Sequence, residues 1–457
     1  MKKLIGYLNG INFGGWFSQC DYSLDRFDNF INEDDFKKVS EWGMDHIRIP
    51  FDYNLVQNND YSFIEDGFNR IEKCILNCKK YKLNMILDLH KTIGFSFDKK
   101  EGELGFFHNK EYQDNFYNLW LEIVKRFSKY EDMLAIELLN EVTNYDYKDA
   151  WNRIASECIR RIREVSPTIK ILVGGYYNNA VSAVKDIDVP IDDNIVFNFH
   201  CYEPLIFTHQ GAYWIDKMDV NFRTKYKLTF KEISELTKKY CGNPALDYSF
   251  MNENEVVGTN YFETIFKSAI VAAEEKGVYL YCGEYGVIEY VEPNELKKWY
   301  QDINSVLSKY GIGHALWSYR EMDFDFVNSR YDDVRSEVID GVYQGLLFKE
   351  SLVNDDIFKH IEIIDTEVWK TDDSLGQWTA ISFIARDREF PETLSKCLKH
   401  DIDGNSWFVD FKDNNFKYIV LKDYVLKYHL GNQKEKEDIC KVCTSLGVAS
   451  KHLNWSE

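Results

Sequence analysis

The chain has 457 residues, 45% hydrophobic and 28% charged, the balance of an ordinary soluble globular protein. That length exceeds one typical domain and suits a barrel with insertions plus one small module. The formal net charge of −20 argues against a nucleic-acid or anionic-membrane partner, because phosphate binding needs a basic face.

The opening MKKLIGYLNGINFGGWF turns Gly-rich after a few apolar residues, too soon for a signal-peptide core. No run reaches the roughly 20 apolar residues of a membrane span. The ten cysteines are scattered, and Cys158, Cys201 and Cys282 lie inside apolar patterns. These features predict reduced, buried thiols and a cytoplasmic setting. Cys440 and Cys443 form a single C-x-x-C without the second half of a zinc site, so no metal is expected there.

Along the chain, apolar runs rich in β-branched residues alternate with amphipathic stretches. Strands are predicted at 7–13, 44–51, 83–90, 133–140, 169–174, 194–200, 278–284 and 312–317. Helices are predicted at 34–42, 65–81, 111–129 and 147–164. Eight strands alternating with helices predict an α/β fold, a (β/α)8 TIM barrel over 1–364. The connection 201–277 is the longest, carries a helix near 228–240, and is expected to build part of the active-site wall. Beyond 365 the pattern changes to strands at 378–385, 407–411 and 417–430, with helices at 391–398 and 434–446. That predicts a small C-terminal α+β domain over 365–457, of unassigned role.

Polar residues recur at the C-terminal ends of the apolar runs, the end where barrels do chemistry. In order they are Arg48, His90, Asn140 with Glu141, His200 with Tyr202, Glu284 and Trp317. Each alone is weak, since a lone His or an Asn-Glu pair at a strand end is commonly structural. Together they point to Glu141 and Glu284 as the two carboxylates of a glycoside hydrolase. Glu284 is the expected nucleophile, its charged form stabilised by Arg48 and the Tyr202 hydroxyl. Glu141 is the expected general acid and base, which requires it to be protonated near neutral pH. Asn140 is expected on the sugar 2-OH, His90 and His200 on hydroxyls or carboxylates, and Trp317 beneath the sugar. Trp16, Phe207 and Trp214 are candidate subsite aromatics, because sugars present flat C–H faces. No His-Glu-x-x-His, phosphate loop, dinucleotide fingerprint or serine elbow is present.

The motifs GINFGGW at 10–16, HIRIPF at 46–51, DLH at 88–90, LNE at 139–141, HCY at 200–202, GEYG at 283–286 and ALWSY at 315–319 resemble glycoside hydrolase family 5. This is the cellulase family of clan A retaining β-glycosidases, and the resemblance spans roughly 8–350. Val142 stands where the family often has Pro, and 319–353 is longer than usual. The resemblance implies the same residue roles, no cofactor, and a cis bond between Trp317 and Ser318. It implies a β-linked glucan or oligosaccharide substrate, endo-β-1,4-glucanase-like action being favoured by YEPLIFTHQGAYW at 202–214. Mannan, β-1,3-glucan, xyloglucan, glycolipids and exo action share the same eight residues. A barrel that binds sugar without cleaving it is the alternative from another class, and the presence of both glutamates speaks against it.

Overall fold

In this computed structural model, described for all residues except 99–100, 243–247, 340–342, 372–373, 386–389, 403–404, 414–415 and 456–457, the apolar runs become the staves of a closed barrel. The strands are β1 (Asn9–Asn12), β2 (His46–Asp52), β3 (Asn84–Thr92), β4 (Leu134–Glu137), β5 (Lys170–Gly174), β6 (Ile195–Cys201), β7 (Tyr279–Tyr285) and β8 (Gly313–Leu316). Each is parallel to its neighbour, and β1 pairs with both β2 and β8, so no edge is left. Helices Glu33–Glu41, Glu65–Lys80, Lys110–Phe127 and Lys148–Val165 lie where the amphipathic pattern puts them.

The strand period of two sorts the barrel interior into layers. Ile86, Ala135, Leu172 and Val196 form an apolar layer with Tyr281 and Ala315, all buried. Two residues further along the same strands stand Asp88, Glu137, Gly174 and Asn198, also buried. The barrel thus changes from hydrocarbon to polar groups within one side-chain step, just beneath the catalytic face.

Three differences from expectation bear on the catalytic face. Strand β4 ends at Glu137 rather than residue 140, and Glu141 sits beyond it with φ 42°. Strand β8 stops at Leu316, one residue before Trp317. Within 201–277, helix Phe230–Tyr240 is joined by Thr259–Lys276, which the sequence reading folded into a loop. Its Ala-rich, broadly apolar surface shows no clean stripe, and the Gly277 cap (φ 65°) is its plainest signal.

The chain divides into two compact units, one of Met1–Glu41 and Asp45–Val338, the other of Trp42–Met44 and Ile339–Glu457. The boundary therefore falls near 338, not 364. The reason is a strand the sequence reading missed, β9 (Tyr343–Phe348). It lies inside the second sheet, flanked by β11 (Gln377–Ala385) and β12 (Phe408–Lys412). The sheet is antiparallel in the order β10 (Ile361–Lys370), β11, β9, β12, β13 (Phe416–Leu421), β14 (Tyr424–His429). The strand expected at 417–430 is a hairpin, turned at Asp423 with φ 64°. Helix Phe390–Cys397 packs Phe390 and Leu394 into one core with Phe383 and Phe411. Helix Gln433–Ser445 puts Cys443 into another with Ile419 and Tyr428, so that cysteine of the C-x-x-C is a packing residue.

Candidate active site

Arg48 is fully buried at the centre of the polar layer. Its Nη1 donates to Glu284 Oε1 at 2.8 Å and to Asn12 Oδ1 at 2.9 Å. Its Nε and Nη2 grip Glu137 at 2.8 and 3.1 Å, and Nη2 also donates to Asn140 Oδ1 at 3.0 Å. Asp88 Oδ2 lies 3.0 Å from Nη2. One guanidinium thus serves three carboxylates, and its forked partner is Glu137 rather than Glu284. Burial pushes the Asp88 carboxyl up to about 7 and Glu137 upward too, against the pull of Arg48.

Glu284 is held on its other oxygen by the Tyr202 hydroxyl, which donates to Oε2 at 2.9 Å. Glu141 keeps 14% of its side chain exposed. Its Oε2 accepts from Asn178 Nδ2 at 2.9 Å, and its Oε1 meets His200 Nδ1 at 2.9 Å. Burial raises the Glu141 carboxyl, and the Asn178 hydrogen bond opposes that rise. Burial also drives His200 down to about 4, so its ring is neutral near pH 7. Oxygens of Glu141 and Glu284 lie within 4.8 Å of each other, with His200 between. Around them are a guanidinium, a phenol and amide N–H groups, donors that suit carboxylates and oppose a cation at the same oxygens.

His90 Nδ1 sits 2.5 Å from Asp88 Oδ2, its Nε2 is 3.4 Å from Asn140 Nδ2, and its ring lies parallel to Trp317 at 5.9 Å. The Trp317–Ser318 peptide is cis, as the motif implies. A methyl group on Gly14 would stand 2.8 Å from the Trp317 ring, which accounts for glycine in GINFGGW. All eight residues singled out in the sequence therefore meet in one cluster.

The subsite aromatics divide. Trp214 is exposed and continues a wall of rings: Tyr202 to His209 at 5.2 Å, His209 to Trp214 at 5.8 Å, Trp214 to Tyr213 at 4.9 Å. Phe207 does not line a cleft; it is 1% exposed and packs on Tyr226. Trp16 is also buried, stacked on Phe17 at 4.0 Å with its N–H donated to Phe27 O at 3.0 Å. The sequence reading overlooked Asn12, Asp88, Glu137, Asn178, Asn179 and Asn198. For Asp88, Glu137 and Asn198 a signal existed: each is a polar residue that interrupts an apolar run, with apolar neighbours on both sides in the sequence.

The chain is 48% identical over 312 residues to cellodextrinase A of Ruminococcus flavefaciens, covering 68% of this chain and 85% of that one. It is 38% identical over 343 residues to endoglucanase C of Acetivibrio thermocellus, covering 74% of this chain and 98% of that one. In fold it resembles the solved endoglucanase Cel5A of Thermotoga maritima, with a TM-score of 0.57, 19% identity, and 73% and 97% of the two chains covered. The family model described as Cellulase (glycosyl hydrolase family 5) matches residues 10–323. With the paired glutamates, the buried Arg48 cluster and these relatives in agreement, the chain belongs to glycosyl hydrolase family 5, the cellulase family.

Proposed function

We propose that this glycosidase hydrolyses β-1,4-linked gluco-oligosaccharides with retention of anomeric configuration. The carrying observation is the approach of the Glu141 and Glu284 carboxylates to within 4.8 Å. That spacing suits a nucleophile, whereas an inverting pair needs about 6.5–9.5 Å for a water between them. In the first step a Glu284 oxygen bonds to the anomeric carbon as the glycosidic C–O bond breaks, and Glu141 gives its proton to the departing oxygen. In the second, Glu141 takes a proton from water, the water oxygen bonds to that carbon, and Glu284 leaves as carboxylate. Arg48 and Tyr202 each donate to one oxygen of Glu284 and so aim its carboxyl group. Asn140, held by Arg48, is placed for the sugar 2-OH, and Trp317 for the sugar's apolar face.

The relatives described as cellodextrinase and endoglucanase support a β-glucan substrate. The exposed Tyr213–Trp214 pair supports outer sugar sites and hence a chain of several units. We also infer a cytoplasmic setting and short imported oligosaccharides as substrates. Ten unpaired thiols support it, and fractionation of the native cells tests it. The test of activity is a panel of β-linked oligosaccharides with product anomers read by NMR. Initial α-anomers, or no cleavage of any β-glucoside, would refute the proposal.

A further inference from the structure

After β5 the chain makes a turn that ordinary residues avoid. Tyr177, Asn178 and Asn179 follow one another at φ 50°, 57° and 55°. Three successive left-handed non-glycine residues are strained, and such strain gathers where surroundings hold a side chain for a task. Asn178 N–H donates to Val142 O at 3.0 Å, which ties the turn to the residue following Glu141. Gly174 leaves the space that the Asn179 amide fills; a methyl group there would stand 2.2 Å from its Oδ1.

The two asparagines reach two members of the catalytic cluster. Asn178 Nδ2 donates to Glu141 Oε2 at 2.9 Å. Asn179, wholly buried, places Nδ2 3.3 Å from His200 Nε2. An amide N–H toward Nε2 makes that nitrogen the acceptor, so the neutral ring carries its proton on Nδ1. That Nδ1 faces Glu141 Oε1 at 2.9 Å. Each oxygen of Glu141 therefore has its own donor, one directly from Asn178 and one relayed by Asn179 through His200.

We propose that Asn178 and Asn179 are positioning residues that orient Glu141 and fix the His200 tautomer for the acid–base cycle. This rests on the reading of Glu141 as acid and base. The other groups bearing on Glu141 are Arg48 from β2, Asp88 and His90 from β3, Tyr202 just beyond β6, and Glu284 from β7. All of these remain in the variants below, so changes report the asparagines. An N–H donor favours the carboxylate, so losing it makes Glu141 hold its proton to higher pH.

The experiment is the pH profile of kcat/KM on an aryl β-cellobioside for the full chain, with melting temperature followed in parallel. Asn178→Ala should move the basic limb up by about 0.5–1 pH unit. Asn178→Asp, similar in shape and carrying a negative charge, should move it up further. Asn179→Asp should accept from Nε2–H and transfer the ring proton away from Nδ1, read in the ¹⁵N-histidine NMR spectrum. An unmoved limb in both folded Asn178 variants overturns the proposal, as does a parent spectrum with the His200 proton on Nε2. Glu141→Ala is assayed alongside on a dinitrophenyl glycoside. Azide should restore its turnover, and failure there strikes the reading of Glu141 itself rather than the role of the asparagines.

Discussion

Glu137 touches no substrate, yet replacing it by glutamine should injure both stability and catalysis. The side chain is fully buried, takes two hydrogen bonds from Arg48 at 2.8 and 3.1 Å, and takes a third from Asn198 Nδ2 at 2.7 Å. Glutamine keeps the shape but removes the charge and turns an N–H toward donors that already face inward. One charge-assisted bond is lost and one buried donor is left unpaired, about 3 kcal/mol in total. Against a folding free energy of about 5–15 kcal/mol that is a large share. Arg48 also holds Glu284 and Asn140, so a guanidinium that shifts by about 1 Å should lower kcat about 100-fold. The assay pairs the guanidinium chloride unfolding midpoint with kcat/KM on an aryl β-cellobioside. Unchanged midpoint and turnover in Glu137→Gln would refute the view that this fork supports the catalytic cluster.

Glu284→Gly should abolish hydrolysis and regain turnover with azide as an α-glycosyl azide, because a small anion replaces the missing nucleophile; near-normal activity without azide would contradict the assignment. The raised Glu141 carboxyl keeps its proton above the ordinary carboxylate range, so acid catalysis persists there and is lost as pH rises through that higher value. A phenol acidic enough to leave unaided should erase this basic limb, and a limb identical for all leaving groups would assign it elsewhere. Trp214→Ala should weaken cleavage of a tetrasaccharide more than of an aryl monosaccharide, and equal losses would remove the outer-site reading. Phe207→Ala should instead destabilise by about 3–5 kcal/mol through a core cavity, with KM unchanged in the protein that remains folded.

The barrel and its eight polar residues were legible because two simple regularities coincide. Apolar runs mark staves, and a polar residue closing a run marks the catalytic face. What stayed hidden depends on three-dimensional neighbours. Glu137 and Asp88 look like interruptions of a strand until Arg48 is seen between them. Asn178 and Asn179 lie in a turn whose left-handed backbone no periodicity announces. Phe207 and Trp214 share one aromatic segment, and only packing decides that the first is core and the second is surface. Strand β9 escaped notice because its register is set by β11 and β12, which follow it in the chain.

The seam between β1 and β8 joins residues about three hundred positions apart: Gly10 faces Ala315, and Asn12 Nδ2 donates to the carbonyls of Gly283, Ala315 and Leu316. During synthesis the first strand must therefore wait, unpaired on one side, until almost the whole barrel has left the ribosome. Nascent chains halted before Gly313 should be readily cleaved by protease, and protection should arrive abruptly once Leu316 is exposed. Protection arriving gradually, stave by stave, would show that the growing sheet tolerates its open edge. Loss of the final stave through a premature stop is thus a defect in the first strand as much as in the last.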